Sequence, residues 1–164
     1  KSLNLSRAIA IAVLIFLLIF ISVFFDLIQF KAKDSKRKSD LRQIRLALEM
    51  FRSQYGYFPE IEHVDAQGWS KTYIPQGQRA YKDFIDVLVK EGFLKEKVID
   101  PVNSNRHHYR YQRFDRGDYG CSDAFYILQI VNFEQNQEDA GHGRCPQKDF
   151  AKDNFNGYTI QGFE

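Results

Sequence analysis

Helix-breaking residues are absent from the first third of this 164-residue chain. The first glycine is Gly56 and the first proline is Pro59. Glycine costs about 1 kcal/mol and proline about 3 kcal/mol in a helix interior, so nothing before Gly56 forces the backbone to bend or stop. We therefore predict one continuous helix, roughly 75 Å long at 1.5 Å per residue. A globular domain of this size cannot bury such a helix, so the rest of the chain is expected to form a small head on a long stalk.

Motifs of the common enzyme classes are also absent. The sequence has no nucleophile elbow, phosphate-binding loop or HExxH motif, and its histidines have neither triad nor metal-ligand spacing: His63, His107, His108 and His142. The formal net charge of +2 is too close to balance to indicate a nucleic-acid binder or an acidic tail. We expect neither enzymatic activity nor a cofactor.

Cysteine is scarce, with only Cys121 and Cys145 in the chain. A low, even count suits one disulfide that closes a loop of about 25 residues, worth about 3 kcal/mol in the chain-entropy model, in an oxidising compartment. Two unpaired buried thiols are the alternative. A zinc site is less favoured because neither cysteine has a second cysteine or a histidine at ligand spacing, although His142 lies three residues before Cys145.

The predicted helix has two halves of opposite character. Residues Ala8–Phe25 read AIAIAVLIFLLIFISVFF, eighteen residues without a charge. They span about 27 Å, and with the apolar residues that follow they approach the hydrocarbon thickness of a bilayer. This run passes into bulky, charged helix without a small-residue cleavage site, so we expect it to be retained rather than removed as a secretory signal. We assign residues 1–30 to an apolar half and residues 31–56 to an amphipathic half.

The amphipathic half carries apolar residues at spacings of three and four. This spacing places them on one face of a helix, which we expect to pack against the head. The residues of this face are Leu41, Ile44, Leu48, Phe51 and Tyr55. Tyr55-Gly56 followed by Pro59 predicts the end of the helix.

Residues 57–164 are predicted to form the head. Residues 60–79 indicate an extended loop anchored by Trp69, and residues 80–91 a second, short helix followed by Gly92. Stretches rich in aromatic and β-branched residues predict three strands, at residues 108–114, 125–133 and 158–163.

Three features of the sequence occur together: the apolar helix, the run KSDLRQIRLALEMFRSQYGYFP at residues 38–59, and the run DPVNSNRHHYRY at residues 100–111. The combination resembles the type IV pilin family, particularly the short pilins that are similar to the major pseudopilin of type II secretion. The resemblance covers residues 8 to about 133. It implies an α+β fold in which a loop, a short helix and an antiparallel sheet of three or four strands follow the long helix, with the sheet packed on the amphipathic half. Family members often close their C-terminal region with a disulfide, which Cys121 and Cys145 would fit.

The same resemblance implies a structural role as the major pilin of a type IV pilus, serving adhesion, motility or DNA uptake. In the family the apolar half lies in the inner membrane before assembly and in the core of an extracellular filament of identical subunits afterwards. Prepilin peptidase and the pilus assembly machinery would be further partners. The alternatives are a type II secretion pseudopilin and, from another class, a monomeric membrane-anchored extracytoplasmic binding domain. Side chains expected to pack in the filament core are Leu14, Phe16, Leu17, Phe20 and Phe24.

The N-terminus departs from the family pattern. Family members usually begin with a methylated phenylalanine and carry a glutamate four residues later, whereas this chain has Lys1 and Leu5. Arg7 and Asp26 flank the apolar run and lie nineteen residues, or about 28 Å, apart along a helix. They cannot meet within one helix, but they could pair between staggered subunits. The alternative, which we favour, is that each is hydrated at its own membrane interface.

Basic residues are concentrated after the apolar half, with eight Lys or Arg and three acids between Lys31 and Arg52. They could bind anionic lipid head groups, at about 1 kcal/mol per charge near the surface. A solvated stalk is the interpretation we favour.

Bases and tyrosines are interleaved at residues 106–113, around Tyr109 and Tyr111. This is the composition of a stacking surface for single-stranded nucleic acid, which makes DNA a candidate partner. Strand alternation also allows the tyrosines to face the core and the bases to face water, and we favour this interpretation.

Three acids flank two glycines in one predicted loop: Asp115, Asp118 and Asp123. The similar pseudopilins hold calcium in a loop of this region, so the resemblance makes calcium a candidate ligand. The spacing matches no calcium-binding pattern. A solvated acidic loop is therefore favoured.

Overall fold

A computed structural model describes residues 2–77, 81–135 and 137–164 of the chain, with the backbone alone for residues 2–6 and 8. Lys1 lies outside the described residues. So does Ala80, the first residue of the predicted second helix.

The long helix, α1, runs without interruption over Ser2–Tyr55, as predicted. It ends at Gly56, whose φ of 84° is readily adopted only by a residue without a side chain. The Gly56 N–H donates to the carbonyl of Arg52 at 2.7 Å and so satisfies one of the last helical carbonyls.

The head contains a four-stranded antiparallel sheet. Its strands, in spatial order, are β1 (Ser70–Lys71), β2 (Tyr109–Phe114), β3 (Phe125–Ile130) and β6 (Tyr158–Phe163). The two central pairings start at Tyr109 opposite Ile130 and at Ile130 opposite Tyr158. The α+β layout of a long helix with a small antiparallel sheet is therefore confirmed.

The second helix, α2, spans Phe84–Lys90 and is shorter than the predicted 80–91. Asp83 sets its start, because the Asp83 side chain accepts hydrogen bonds from the N–H groups of Ile85 and Asp86. The Asp86 side chain in turn accepts from the Asp83 N–H at 2.9 Å. This reciprocal capping box fixes the N-terminus of α2 at Phe84. The helix therefore starts three residues after Tyr81, the first residue of the predicted helix that the structure describes.

Two parts of the sheet differ from the sequence prediction. Strand β3 ends at Ile130 rather than at residue 133, because the chain then turns away and the Phe133 N–H donates to the carbonyl of Asn156. Strand β1 lies inside the segment expected to be a loop, where its two residues are too short to show alternation.

The polar segment between β3 and β6 contains a small second layer. It holds a hairpin of β4 (Arg144–Cys145) and β5 (Lys148–Asp149), followed by the single helical turn α3 (Phe150–Asp153). The hairpin carries the disulfide between Cys121 and Cys145, which confirms the pairing expected from the cysteine count. The free-thiol and zinc interpretations are therefore wrong.

The residues just before this hairpin cover the outer edge of β6. Thr159 exchanges backbone hydrogen bonds with Ala140 and His142, each at 2.9 Å. Gly141 makes this approach possible, since a Cβ atom there would lie 2.1 Å from the Thr159 carbonyl oxygen. A covered edge cannot pair with another strand at this position.

Candidate functional site: the long helix and its junction with the head

The apolar half of α1 is exposed at every residue whose side chain the structure describes, except half-buried Phe30. The helix is long and apolar enough to cross a membrane by length and composition, and none of its most apolar eighteen-residue window is buried. The side chains expected in a filament core are between 48% and 68% exposed: Leu14, Phe16, Leu17, Phe20 and Phe24. An apolar surface of this extent marks a site that lipid or protein covers.

Arg7 and Asp26 are both exposed in the single chain. They belong to one continuous helix, so they cannot pair with each other within it. Their pairing between subunits stays a prediction.

The amphipathic half packs against the sheet and α2. Leu41, Ile44, Leu48 and Phe51 are buried in the main hydrophobic core. Tyr55, the last residue of the predicted face, is 37% exposed because it lies at the helix end. Its hydroxyl donates to Glu91 at 2.7 Å, just after α2, and its ring lies 4.5 Å from the ring of Phe51.

A buried arginine continues this face toward the apolar half. The Arg37 side chain is completely buried, and its guanidinium contacts three carboxylates. We call Arg37 and these three carboxylates the Arg37 cluster. The Nε and Nη2 atoms donate to Asp100 at 2.6 and 3.1 Å. The Nη1 atom donates to Asp34 at 2.7 Å, and Nη2 also donates to Glu134 at 3.2 Å.

The carboxylates of the Arg37 cluster also hold backbone from the head. Asp34 accepts the N–H groups of Glu134 and Gln135 at 2.9 and 3.1 Å. Asp100 accepts those of Val102 and Asn103 at 2.8 and 3.2 Å. The cluster therefore fastens α1 to two separate loops at the point where the exposed half gives way to the packed half.

Burial and ion pairing oppose each other in the Arg37 cluster. Burial alone raises the pKa of Asp100, but hydrogen bonds from Arg37 and from two backbone N–H groups outweigh it and lower the pKa. For Arg37, burial alone lowers the pKa, and the hydrogen bonds and charges of its carboxylate partners outweigh this and raise it. Both groups are therefore held in their charged forms.

One turn further along α1, Asp40 makes a second polar contact with the sheet. It accepts hydrogen bonds from the Tyr109 hydroxyl at 2.8 Å and from Lys36 Nζ at 3.0 Å. Burial, with the nearby Asp40 charge, raises the pKa of Tyr109 and keeps this phenol protonated as a donor.

Much of the basic run after the apolar half is engaged inside the protein. Besides buried Arg37, Lys36 pairs with Asp40 and Lys33 Nζ lies 4.0 Å from Glu134. Lys38 Nζ lies 5.5 Å from the centre of the Phe133 ring. Lys31 and Arg42 are exposed, as in a solvated stalk, and the alternative contact with lipid head groups stays untested.

The tyrosines proposed for nucleic-acid stacking face the core. Tyr109 and Tyr111 are buried, and the Tyr111 hydroxyl donates to the carbonyl of Pro59 at 2.8 Å. The guanidinium of Arg110 instead lies 4.2 Å from the centre of the Trp69 ring. Neither tyrosine ring is accessible to a nucleobase in this structure.

The acidic loop is organised by its own hydrogen bonds. Asp115 accepts from Arg113 at 2.8 Å, Asp118 from the Asp115 N–H at 2.9 Å and Asp123 from Ser122 at 2.8 Å. Among the residues that the structure describes, no three His, Cys, Asp or Glu side chains lie close enough together to hold a metal ion.

Comparisons with protein-family models, with curated proteins and with solved structures found no match for this chain. The function proposed below rests on the chain's own geometry and on the resemblance in its sequence.

Proposed function

We propose that this chain is the structural subunit of a surface filament, the major pilin of a type IV pilus, that serves adhesion, motility or DNA uptake. The observation that supports the proposal most strongly is one uninterrupted helix whose two halves have different surroundings. Its first half is apolar and exposed, and its second half is fastened to a disulfide-closed head. The first half would lie in the membrane before assembly and against the same half of other subunits afterwards.

Hydrophobic burial anchors the subunit but does not by itself drive it from membrane to filament. Full burial of a leucine or phenylalanine side chain is worth about 1.5–3 kcal/mol relative to water. Lipid tails are as apolar as leucine, so transfer from bilayer to filament gains little from this term. Close helix packing has to supply the preference, and pairing of Arg7 with Asp26 between subunits, at a stagger of about 28 Å, would add to it.

The Arg37 cluster suits a subunit that is pulled by its helix. Force applied along α1 has to pass to the head, and the cluster joins α1 to loops 63 and 97 residues away in the chain. Charge-assisted hydrogen bonds of this kind are directional and resist sliding of the helix past the head, which packed apolar side chains alone do less well.

The proposal is tested by electron microscopy of filaments sheared from cells that express the chain, with mass spectrometry of the subunit in the same sample. Long filaments composed of this chain are the expected result, and mass spectrometry identifies the N-terminal residue of the assembled form. Filaments seen only as short stubs on overproduction would favour the pseudopilin. A chain that stays in the membrane as a monomer would reject both filament proposals and favour the anchored binding domain.

A further inference from the structure

Phe155 presents an unusually exposed aromatic side chain. It lies in the turn between α3 and β6, and it is 90% exposed. Burying a phenylalanine is favourable, and aromatic residues are enriched in the cores of protein interfaces. The side chain is therefore a candidate contact residue.

The turn that carries Phe155 is held firmly on both sides. Asn154 is buried, and its Nδ2 donates to the Ile130 carbonyl at 2.9 Å. Asn156 adopts a left-handed φ of 57°, and its Nδ2 donates to Asn132 Oδ1 at 3.0 Å. A residue fixed in this way loses little conformational entropy on docking.

Phe155 lies at the end of the head nearest the apolar half of α1. The adjoining strand β6 begins opposite Ile130, and the chain just beyond β3 reaches Asp34 through its contacts with Glu134. From Asp34 to Tyr55, at the other end of the head, α1 advances about 30 Å.

A pocket that we call the distal pocket lies at this other end. It has a volume of about 780 Å³ and is formed between residues 60–63 and α2. Ile61, Val87 and Tyr81 contribute apolar surface, and the exposed side chains of Glu62 and Lys82 contribute charges of both signs. It lies near the end of α1, where Tyr55 contacts Glu91 just after α2.

We propose that Phe155 of one copy of this chain docks in the distal pocket of the next copy. The two features lie at opposite ends of the head, and every copy carries one of each. A contact between different surfaces of identical subunits is head-to-tail, and it extends into a filament when its rotation does not close a ring. This inference rests on the proposed filament function and names the head surfaces that meet along it.

Charge on the two surfaces is compatible with this docking. Lys152 is exposed three residues before Phe155, and Glu62 is exposed at the rim of the distal pocket. Opposite charges meet at the edge of the contact when the ring docks in the orientation that turns Lys152 toward Glu62 and away from Lys82. Rim charges of this kind fix orientation more than affinity.

Substitutions that change the size of the docked side chain or the charge beside it should change the strength of the contact. Phe155→Ala is expected to weaken this contact between neighbouring copies by about tenfold to a hundredfold, and Phe155→Leu by less. Lys152→Glu should weaken it, and adding Glu62→Lys should restore it. Because these side chains are exposed, the disulfide-closed head is expected to fold normally in each variant.

Disulfide trapping in sheared filaments tests the contact directly. Both native cysteines are consumed in one disulfide, so Lys152→Cys with Glu62→Cys adds the only free thiols and leaves Phe155 in place. Oxidation should give a ladder of dimers, trimers and longer species on a non-reducing gel. The matched control, Lys152→Cys with Ser53→Cys, places the second thiol at an exposed position of α1 near the same end and should give no ladder.

Each outcome decides between the two proposals. Filaments with a ladder specific to the pair of thiols at positions 152 and 62 support the docking. Filaments without a ladder, with dimers only, or with a ladder in the control as well overturn the docking and leave the proposed filament function intact. A wild-type chain that forms no filament overturns the filament function, and the docking with it.

Discussion

Replacing Arg37 by methionine removes the buried guanidinium that joins α1 to the head. Methionine keeps a long apolar stem but loses four hydrogen bonds, to Asp34, Asp100 and Glu134. Asp34 and Asp100 are left almost fully buried without their counter-charge. We expect this single change to be among the most destabilising in the chain.

The magnitude follows from the cost of an unpaired buried charge. Breaking a buried ion pair by removing one partner costs about 3–5 kcal/mol. The whole free energy of unfolding of a domain is typically about 5–15 kcal/mol, so the loss is a large fraction of it. Adding Asp100→Asn removes one of the stranded charges, and the double variant should therefore be less destabilised than the sum of the two single variants.

Urea unfolding of the intact chain in detergent, followed by the fluorescence of Trp69, measures this loss in the head. Arg42→Met is the matched control, because Arg42 lies on the same helix and is exposed. The control should change the free energy of unfolding by less than about 0.5 kcal/mol. A loss below 1 kcal/mol for Arg37→Met, or one equal to that of the control, would refute the structural role of the cluster.

Further predictions concern a buried histidine, the disulfide and the charges that flank the apolar half. Burial lowers the pKa of His108 to about 4. Between pH 6.5 and 4 the unfolded chain therefore binds a proton that the folded chain excludes, and stability should fall by about 3 kcal/mol as the pH drops. Urea titrations at pH 7 and 4.5 should show a smaller fall for His108→Gln, and an equal fall would contradict this. Replacing Cys121 and Cys145 by serine should lower the free energy of unfolding by about 3 kcal/mol, measured by the same titration; a change below 1 kcal/mol would contradict the loop-closure argument. Asp26→Asn tests the alternative that Arg7 and Asp26 pair between subunits. Loss of filaments in electron micrographs while the membrane-inserted subunit persists, with normal filaments when Arg7→Asp is combined with Asp26→Arg, would support the pair. Normal filaments from Asp26→Asn would exclude the intersubunit pair.

The long helix was predictable because its signals are local. The absence of glycine and proline before Gly56, and the spacing of the apolar residues from Leu41, depend on neighbours along the chain alone. The alternation that placed Tyr109 and Tyr111 in the core is equally local, and both are buried. The start of α2 was misplaced because apolar periodicity does not reveal a capping box at Asp83.

The Arg37 cluster was not predicted because its members come from distant parts of the chain. Asp34 and Arg37 continue the spacing of three and four that leads to Leu41, but a pattern of apolar residues does not include charged ones. Their partners Asp100 and Glu134 lie 63 and 97 residues from Arg37. A charged residue in register with an apolar helix face was the one available signal.

Helical reconstruction of sheared filaments by electron cryo-microscopy tests the central claim most directly. The account predicts that the apolar half of α1, including Phe16, Phe20 and Phe24, is enclosed by the same half of neighbouring subunits, with the heads outside. Filaments in which these side chains face solvent, or in which another protein forms the core, would contradict it.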